Sequence, residues 1–365
     1  MEQKVKVLYF DNGMTVVFFK KKQSGRVSFQ MLYSVGAKSE NNKNAGISHM
    51  IEHMFFKGTK KLKEGVLDAI VYKISGVANA FTSYDYTGYV FNVPSCNCEK
   101  IFFILSDSMN NCLFRDEYLR TEIKTVFQEL KMYSDDTLAS MASEIMSGMF
   151  YDHPYRRPIV GYKNTIVSFT TEDLTSFYKK FYTPQNSVLA VVGDISKKDV
   201  VGYIERYFKT SRIRAFSRAR EFPRKCDFHE ADIRKRRTIL YRDVEIPHFL
   251  FAWEIPGVSK QNIFMYGAIS YLLGGGRGSI LYRKLVYEMD IANSIEVFIY
   301  DLFDYSVLFV YVQPKLLSWE KKIYNAICEV FRMMEEFKLD NDEFVRAINR
   351  TKMFHVNFCE NSDNL

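Results

Sequence analysis

Two histidines and a glutamate, His49, Glu52 and His53, have the spacing of a metal-dependent hydrolytic site. In an α-helix, residues four apart lie on one face, so His49 and His53 can direct their imidazoles toward one metal ion. A catalytic zinc ion takes about three protein ligands and keeps one position for water, whose proton a nearby carboxylate can accept. The His-x-x-Glu-His pattern, the reverse of the commoner His-Glu-x-x-His, therefore predicts two zinc ligands, with Glu52 as general base.

The residues around this pattern indicate a helix that packs against a sheet, whereas the pattern alone also arises by chance. Ser48 can act near a helix start. An apolar face for packing is formed by Ile47, Met50, Ile51 and Met54. Burying two imidazoles and a carboxylate on such a face costs free energy unless they bind a partner. A divalent cation is the simplest partner that compensates them.

A second predicted helix carries acidic residues that suit the same site. The segment 120–132 (RTEIKTVFQELKM) has its apolar residues at helical spacing. Glu122 and Glu129 are two turns apart on it and therefore share a face. That face can meet the first helix, so both glutamates are candidates for the third metal ligand.

With these motifs, the chain resembles the pitrilysin/insulinase family of zinc peptidases, which includes the mitochondrial processing peptidases, and within it a bacterial processing-peptidase-like subgroup. In that family, a glutamate on the later helix completes the metal site and another, two turns earlier, supports it. Glu129 and Glu122 occupy the matching positions. The resemblance implies a single Zn²⁺ held by His49, His53 and Glu129, with Glu122 orienting one of these ligands without binding the metal, and Glu52 as the base of an endopeptidase.

Further segments extend the resemblance along most of the chain. They are 11–16 (DNGMTV), 55–59 (FFKGT), 182–186 (YTPQN) and 191–194 (VVGD). The segment 79–83 (NAFTS) resembles the edge strand along which relatives lay an extended peptide, although Asn79 alone would also suit a turn. The resemblance therefore implies substrate contacts from Asn79, Ala80 and Phe81 and a preference for extended or presequence-like peptides.

The second half of the chain repeats the first. Alternating apolar segments match at an offset of roughly 220 residues: 27–36 with 247–257, and 88–94 with 307–314. The repeat predicts an α+β fold of two homologous α/β-sandwich domains, each a mostly antiparallel sheet covered by helices. The same offset predicts that the second copy lacks its C-terminal part, about 60 to 70 residues, so that the chain is a truncated or split member of its family.

A basic stretch separates the two copies. The 365-residue chain has a net charge of +7, and much of the excess lies in 209–237. Because no aromatic platform or nucleic-acid motif accompanies it, we interpret this stretch as a solvated linker rather than a nucleic-acid arm. The predicted organisation is a catalytic zinc-binding domain at 1–208, the linker, and a non-catalytic second domain at 238–365.

The second copy departs from the family at the positions that hold substrate. Well-studied relatives carry an arginine and, seven residues later, a tyrosine after a glycine-rich turn, but Val286 and Asn293 stand there and neither replaces a guanidinium donor. Arg277, Tyr282 or Arg283 could substitute. The turn 274–279 (GGGRGS) lacks the Gly-Lys-Ser/Thr of a phosphate loop, which favours a tight turn.

Composition and termini narrow the classes of protein that remain. No apolar run reaches the length of a membrane span, and the first predicted strand begins almost at Met1. We therefore expect a cytoplasmic protein without a signal or transit peptide. Peptides are the expected substrates, without nucleic acid as a partner. Two alternatives stay open: a non-catalytic peptide-binding homologue that needs a partner chain, and a peptidase active only as a heterodimer with a homologous chain. The partner assemblies left open are a homodimer and a heterodimer with a homologous chain.

Overall fold

The described part of the chain consists of helices and mostly antiparallel sheets. A computed structural model describes residues 5–210, 237–259, 262–336 and 341–360. The predicted basic linker lies almost wholly outside the described residues, in 211–236. The division into 1–208, 209–237 and 238–365 therefore stays a prediction.

The secondary structure confirms the predicted α+β class. The strands are β1 (Lys6–Tyr9), β2 (Thr15–Lys20), β3 (Arg26–Tyr33), β4 (Val77–Thr82), β5 (Thr87–Pro94), β6 (Ser187–Gly193), β7 (Phe249–Pro256), β8 (Ala292–Tyr300) and β9 (Tyr305–Pro314). The helices are α1 (Ile47–Phe55), α2 (Val66–Lys73), α3 (Glu99–Asn111), α4 (Asp116–Asp135), α5 (Thr137–Met149), α6 (Lys163–Ser168), α7 (Thr171–Phe181), α8 (Lys197–Tyr207), α9 (Ile263–Gly274), α10 (Ile280–Tyr282), α11 (Glu320–Glu335) and α12 (Asn341–Glu360). Within the described ranges, none of these helices combines the length and apolar character needed to cross a bilayer.

Contacts group these elements into two compact units. The first holds the described residues up to Asp135 and from Phe150 to Thr210. The second holds Asp136–Met149 and the described residues from Arg237 to Glu360. Helix α5 therefore belongs to the second unit, where it contacts β7, although it follows α4 directly along the chain.

The first unit is built on a six-stranded sheet in the order β1-β2-β6-β3-β5-β4. Neighbouring strands are antiparallel except β2 and β6, which run parallel. The predicted opening hairpin is confirmed: β1 pairs with β2, and Gly13 takes a left-handed φ of 87° in the turn between them. Strand β4 is at one end of the sheet and, among the described residues, pairs with β5 on one side only.

The core of this unit holds α1 against the sheet. Met50, Ile51 and Met54 of α1 are fully buried in the same apolar cluster as the sheet residues Phe29 and Phe91. Burying such side chains stabilises the unit by roughly 1.5–3 kcal/mol each. The predicted apolar face of α1 is therefore confirmed, and it fixes which face of the helix is left for the polar residues.

The second unit repeats part of the first. Its sheet has the order β7-β9-β8 with antiparallel neighbours, which is the order of β3, β5 and β4. Each pair of matching strands lies at the offset predicted from the sequence. Helices α11 and α12 follow β9 as α3 and α4 follow β5. The repeat is thereby confirmed for these elements.

Candidate metal centre and active site

Helix α1 presents His49, Glu52 and His53 away from its buried apolar face. The helix begins at Ile47 with Gly46 as its N-cap, so Ser48 lies inside the first turn and does not cap the helix through its side chain. His49 and His53 are one turn apart, and their ring centroids are separated by 4.7 Å. The predicted helical spacing thus brings both imidazoles to one place.

Helix α4 brings a carboxylate to the same point. It contacts α1, in line with the family resemblance. Glu129 Oε2 lies 3.4 Å from His49 Nε2 and 3.3 Å from His53 Nε2. One donor atom from each of the three residues lies within 4.8 Å of the other two.

This donor set fits a zinc ion. Zinc bound at about 2.0–2.1 Å to nitrogen and oxygen donors in a tetrahedron separates the donors by about 3.3–3.4 Å, which matches both distances to Glu129. The His49 side chain is 8% exposed, whereas His53 and Glu129 are 20% and 28% exposed. The point where the donors meet is therefore open on one side, where water and a substrate can approach.

The electrostatics of the cluster also favour a cation. Burial lowers the pKa of His53, but its hydrogen bonds to Glu122 and Glu129 and the nearby charge of Glu52 outweigh burial and raise it to about 9. Hydrogen bonds to His49 and His53 lower the pKa of Glu129 to about 2. The carboxylates thus draw positive charge to the point where the ring nitrogens converge, and a divalent cation supplies that charge.

Glu122 contacts the ring nitrogen of His53 that faces away from Glu129. Its Oε2 lies 3.0 Å from His53 Nδ1, and its Oε1 lies 2.8 Å from Lys57 Nζ. Because a carboxylate beside Lys57 accepts hydrogen bonds, the contact assigns a proton to His53 Nδ1, so that Nε2 is the ring nitrogen available to a metal ion. Glu122 thus contacts His53, and its supporting role at the metal stays a prediction. Lys57 was missed by the sequence analysis, although it follows His53 by four residues in the quoted segment FFKGT.

Glu52 lies beside the histidines and is held by the end of the edge strand. The hydroxyl of Thr82, the last residue of β4, donates to Glu52 Oε2 at 2.5 Å. Both side chains are partly buried. Thr82 lies within the quoted segment NAFTS, but the sequence analysis did not single it out, because a contact between residues 30 positions apart leaves no local signal.

The predicted substrate residues Asn79, Ala80 and Phe81 lie on β4, the strand that ends at Thr82. Asn79 Oδ1 accepts a hydrogen bond from the Ala80 N–H at 2.9 Å. A peptide strand that pairs at this position must therefore displace the Asn79 side chain. Phe81 contacts Tyr86 edge to face, with 5.9 Å between ring centroids.

The other three predicted substrate residues lie in the second unit. The predicted tight turn is confirmed: Gly276 has a φ of 108°, and the exposed Arg277 follows it. Tyr282 ends α10, and Arg283 opens a π-helical segment with its guanidinium paired to Glu343. The charge of Arg283 is thus compensated within its own unit. The substrate roles of Arg277, Tyr282 and Arg283 stay predictions.

Two protein-family models match most of the chain. The family model described as insulinase, peptidase family M16, matches residues 15–163. The model described as the peptidase M16 inactive domain matches residues 168–351. The chain belongs to peptidase family M16, the insulinase family, as the sequence motifs predicted.

Individual relatives are named zinc proteases. An "uncharacterized zinc protease" of Rickettsia felis is 26% identical over 348 residues, which cover 95% of this chain and 82% of that protein. The zinc protease PqqE of Helicobacter pylori is 26% identical over 285 residues, covering 77% of this chain and 64% of that protein.

Solved structures show the same fold. A protease from Helicobacter pylori matches with a TM-score of 0.85 at 23% identity, covering 100% of this chain and 88% of that one. A putative M16-like peptidase from Alicyclobacillus acidocaldarius matches with a TM-score of 0.77 at 18% identity, covering 99% of this chain and 86% of that one. The two-domain fold of M16 peptidases therefore spans the chain.

Proposed function

We propose that this chain is a zinc-dependent endopeptidase that hydrolyses extended peptides at the His49, His53 and Glu129 cluster. The observation that carries the proposal is the convergence of the two Nε2 atoms on Glu129 Oε2, at 3.4 and 3.3 Å, with Glu52 beside them. The names of the Rickettsia and Helicobacter relatives support zinc as the metal and a peptide bond as the target.

The residues of the site have two roles: some would hold the metal, and Glu52 would transfer a proton. His49, His53 and Glu129 would hold a single Zn²⁺, while Glu122 keeps the His53 proton on Nδ1. When bound, zinc acidifies a water ligand and polarises the scissile carbonyl. Glu52 accepts the proton of the attacking water and then donates it to the leaving amine. Since Thr82 donates to Oε2 of Glu52, the other carboxylate oxygen is the one that carries the proton.

The edge strand β4 gives the site its substrate class. An extended peptide can add to the outer edge of β4, where main-chain hydrogen bonds give affinity with little dependence on sequence. Because the final residue of β4 touches Glu52, a peptide paired along Asn79 to Phe81 would pass close to the base. This arrangement favours cleavage inside an extended segment.

Cleavage of unstructured peptides whose amino and carboxyl termini are both blocked tests this function. We expect internal fragments by mass spectrometry, and we expect a zinc chelator to abolish them and added zinc to restore them. Folded proteins without extended segments should be cut far more slowly under the same conditions. Products that form equally well with the chelator, or the absence of any cleavage by the zinc-loaded chain, would contradict the proposal.

A second candidate is a peptidase that works only with a homologous partner chain. Val286, at one of the two positions that departs from the family, packs against the core of the second unit, while Asn293 is exposed. Neither offers the donors expected there. Turnover per chain that rises steeply with concentration, or only on addition of a homologous chain, would favour this candidate over a self-sufficient enzyme.

A further inference from the structure

The metal helix α1 is anchored at its start by a carboxylate from outside the helix. Glu40 Oε2 accepts a hydrogen bond from the Gly46 N–H at 2.7 Å, and Oε1 accepts one from the Ser48 N–H at 2.8 Å. We propose that Glu40 is a positioning residue for the metal site: its two hydrogen bonds set the first turn of α1 and thereby the place of His49. This inference rests on the proposed function, because it assigns the purpose of the anchor to metal binding.

The start of α1 has no room for an ordinary cap. Gly46, the N-cap residue, has a φ of 93°, and a Cβ placed there would lie 2.6 Å from the Val160 carbonyl oxygen. A serine, threonine or aspartate is therefore excluded at this position by contact as well as by backbone conformation. The first N–H groups of a helix need acceptors. Glu40, six residues before the N-cap, supplies two acceptor oxygens.

The carboxylate of Glu40 is itself fixed inside the protein. Glu40 is 5% exposed and Arg157 is 7% exposed. Arg157 donates to the carbonyl oxygens of Ala37 and Lys38 at 3.3 and 3.4 Å. Burial raises the pKa of Glu40, while the hydrogen bonds from Gly46 and Ser48 and the charge of Arg157 act in the opposite direction. A buried carboxylate that accepts hydrogen bonds from two backbone N–H groups is held in place, because turning it away would leave both N–H groups and its own oxygens without a partner.

The two histidines depend on this anchor to different degrees. The ring of His53 is oriented by Glu122, which lies 3.0 Å from Nδ1. Within the described part of the chain, the buried Nδ1 of His49 has no hydrogen-bond partner. The place of the His49 ring therefore depends on packing and on the backbone of the first helical turn. Ser48, one of the two residues held by Glu40, directly precedes His49 in that turn.

Glu40→Gln separates this role from general stabilisation. Glutamine keeps the size of the side chain, but its NH2 group would face one of the two backbone N–H groups. That N–H group would then lose the acceptor that the carboxylate provides. We expect the zinc affinity of the whole 365-residue chain in its metal-free form, measured by competition with a chelating dye, to fall about 10–100-fold. The visible spectrum of the cobalt-substituted variant should change as well, because the His49 donor shifts relative to the other two.

Thr170→Ala is the matched control. Thr170 caps α7 by accepting a hydrogen bond from the Asp173 N–H at 3.1 Å, so its loss weakens another helix start in the same unit, at an exposed residue that is not a metal donor. We expect this variant to lower the melting temperature while zinc affinity and the cobalt spectrum stay as in the wild type. If Glu40→Gln does not fold, Arg157→Gln, which keeps both hydrogen bonds to α1, should still lower zinc affinity, by less than about 10-fold; an unchanged zinc affinity in this variant would overturn the role of Glu40.

The outcomes distinguish this inference from the proposed function. A wild-type chain that binds zinc with the same affinity as Glu40→Gln, or a Thr170→Ala variant that loses zinc affinity as strongly, overturns the role of Glu40 and leaves the peptidase proposal standing. A wild-type chain that binds no zinc contradicts the proposed function and the role of Glu40 together.

Discussion

Glu52→Gln is expected to lower the turnover of peptide hydrolysis by about 10²–10⁴-fold, the range that a positioned general acid–base contributes, while zinc stays bound. Glutamine has nearly the same shape and still accepts the hydrogen bond from Thr82, but it cannot take a proton from water. Because Glu52 is not among the three residues whose donor atoms converge, its replacement leaves the metal donors in place. The measurement is turnover on a quenched peptide, with zinc content determined on the same protein.

Glu205→Gln provides the control for this variant. Glu205 lies exposed on α8, so the same chemical change there should leave both turnover and zinc content at the wild-type level. Turnover of Glu52→Gln close to that of Glu205→Gln would remove Glu52 from the reaction. A loss of zinc together with turnover would instead make Glu52 part of the metal-binding group.

Glu129→Ala is expected to lower zinc affinity by more than the roughly 10–100-fold that changes in outer-shell partners cause, and to abolish hydrolysis at ordinary zinc concentrations. Glu129 supplies the donor from α4, at 3.4 and 3.3 Å from the two ring nitrogens. Its removal leaves only two imidazoles, both from α1, and takes away a negative charge that favours a cation at this point. Chelator competition on the metal-free protein measures the change.

Two further variants on α4 should differ from Glu129→Ala in the size of their effect on zinc affinity. Glu122→Gln should weaken zinc binding less than Glu129→Ala, because Glu122 contacts Nδ1 of His53 and not the point where the three donor atoms meet. Glu117→Ala, at an exposed position near the start of α4, should have no effect. If Glu122→Gln were the more damaging change, Glu122 would be the ligand and Glu129 its support.

The sequence predicted the parts of the site that follow from local periodicity. The spacing of His49 and His53 required only a helix, and the shared face of Glu122 and Glu129 required only a second one. The contact between α1 and α4 depends on tertiary packing, which periodicity does not specify; the family resemblance supplied that information. The repeat was visible because alternating apolar strands keep their pattern in both copies.

The residues that the sequence analysis missed are those that act through long-range contacts. Glu40 caps a helix from outside it, Thr82 meets Glu52 across 30 residues, and Lys57 reaches Glu122 on another helix. Serine is a frequent cap, but Ser48 lies inside α1, and Val160 lies too close to Gly46 for a side chain at the N-cap. Glu40 accepts the hydrogen bonds instead. Such contacts become visible only once the chain is folded.

Stepwise addition of zinc to the metal-free chain, with peptide turnover followed at each step, tests the central claim most directly. The arrangement of His49, His53 and Glu129 around one point predicts that turnover rises in proportion to bound zinc and stops rising when each chain carries a single zinc ion. Full turnover by the metal-free chain, or saturation of this site with zinc without any turnover on extended peptides, would contradict the account.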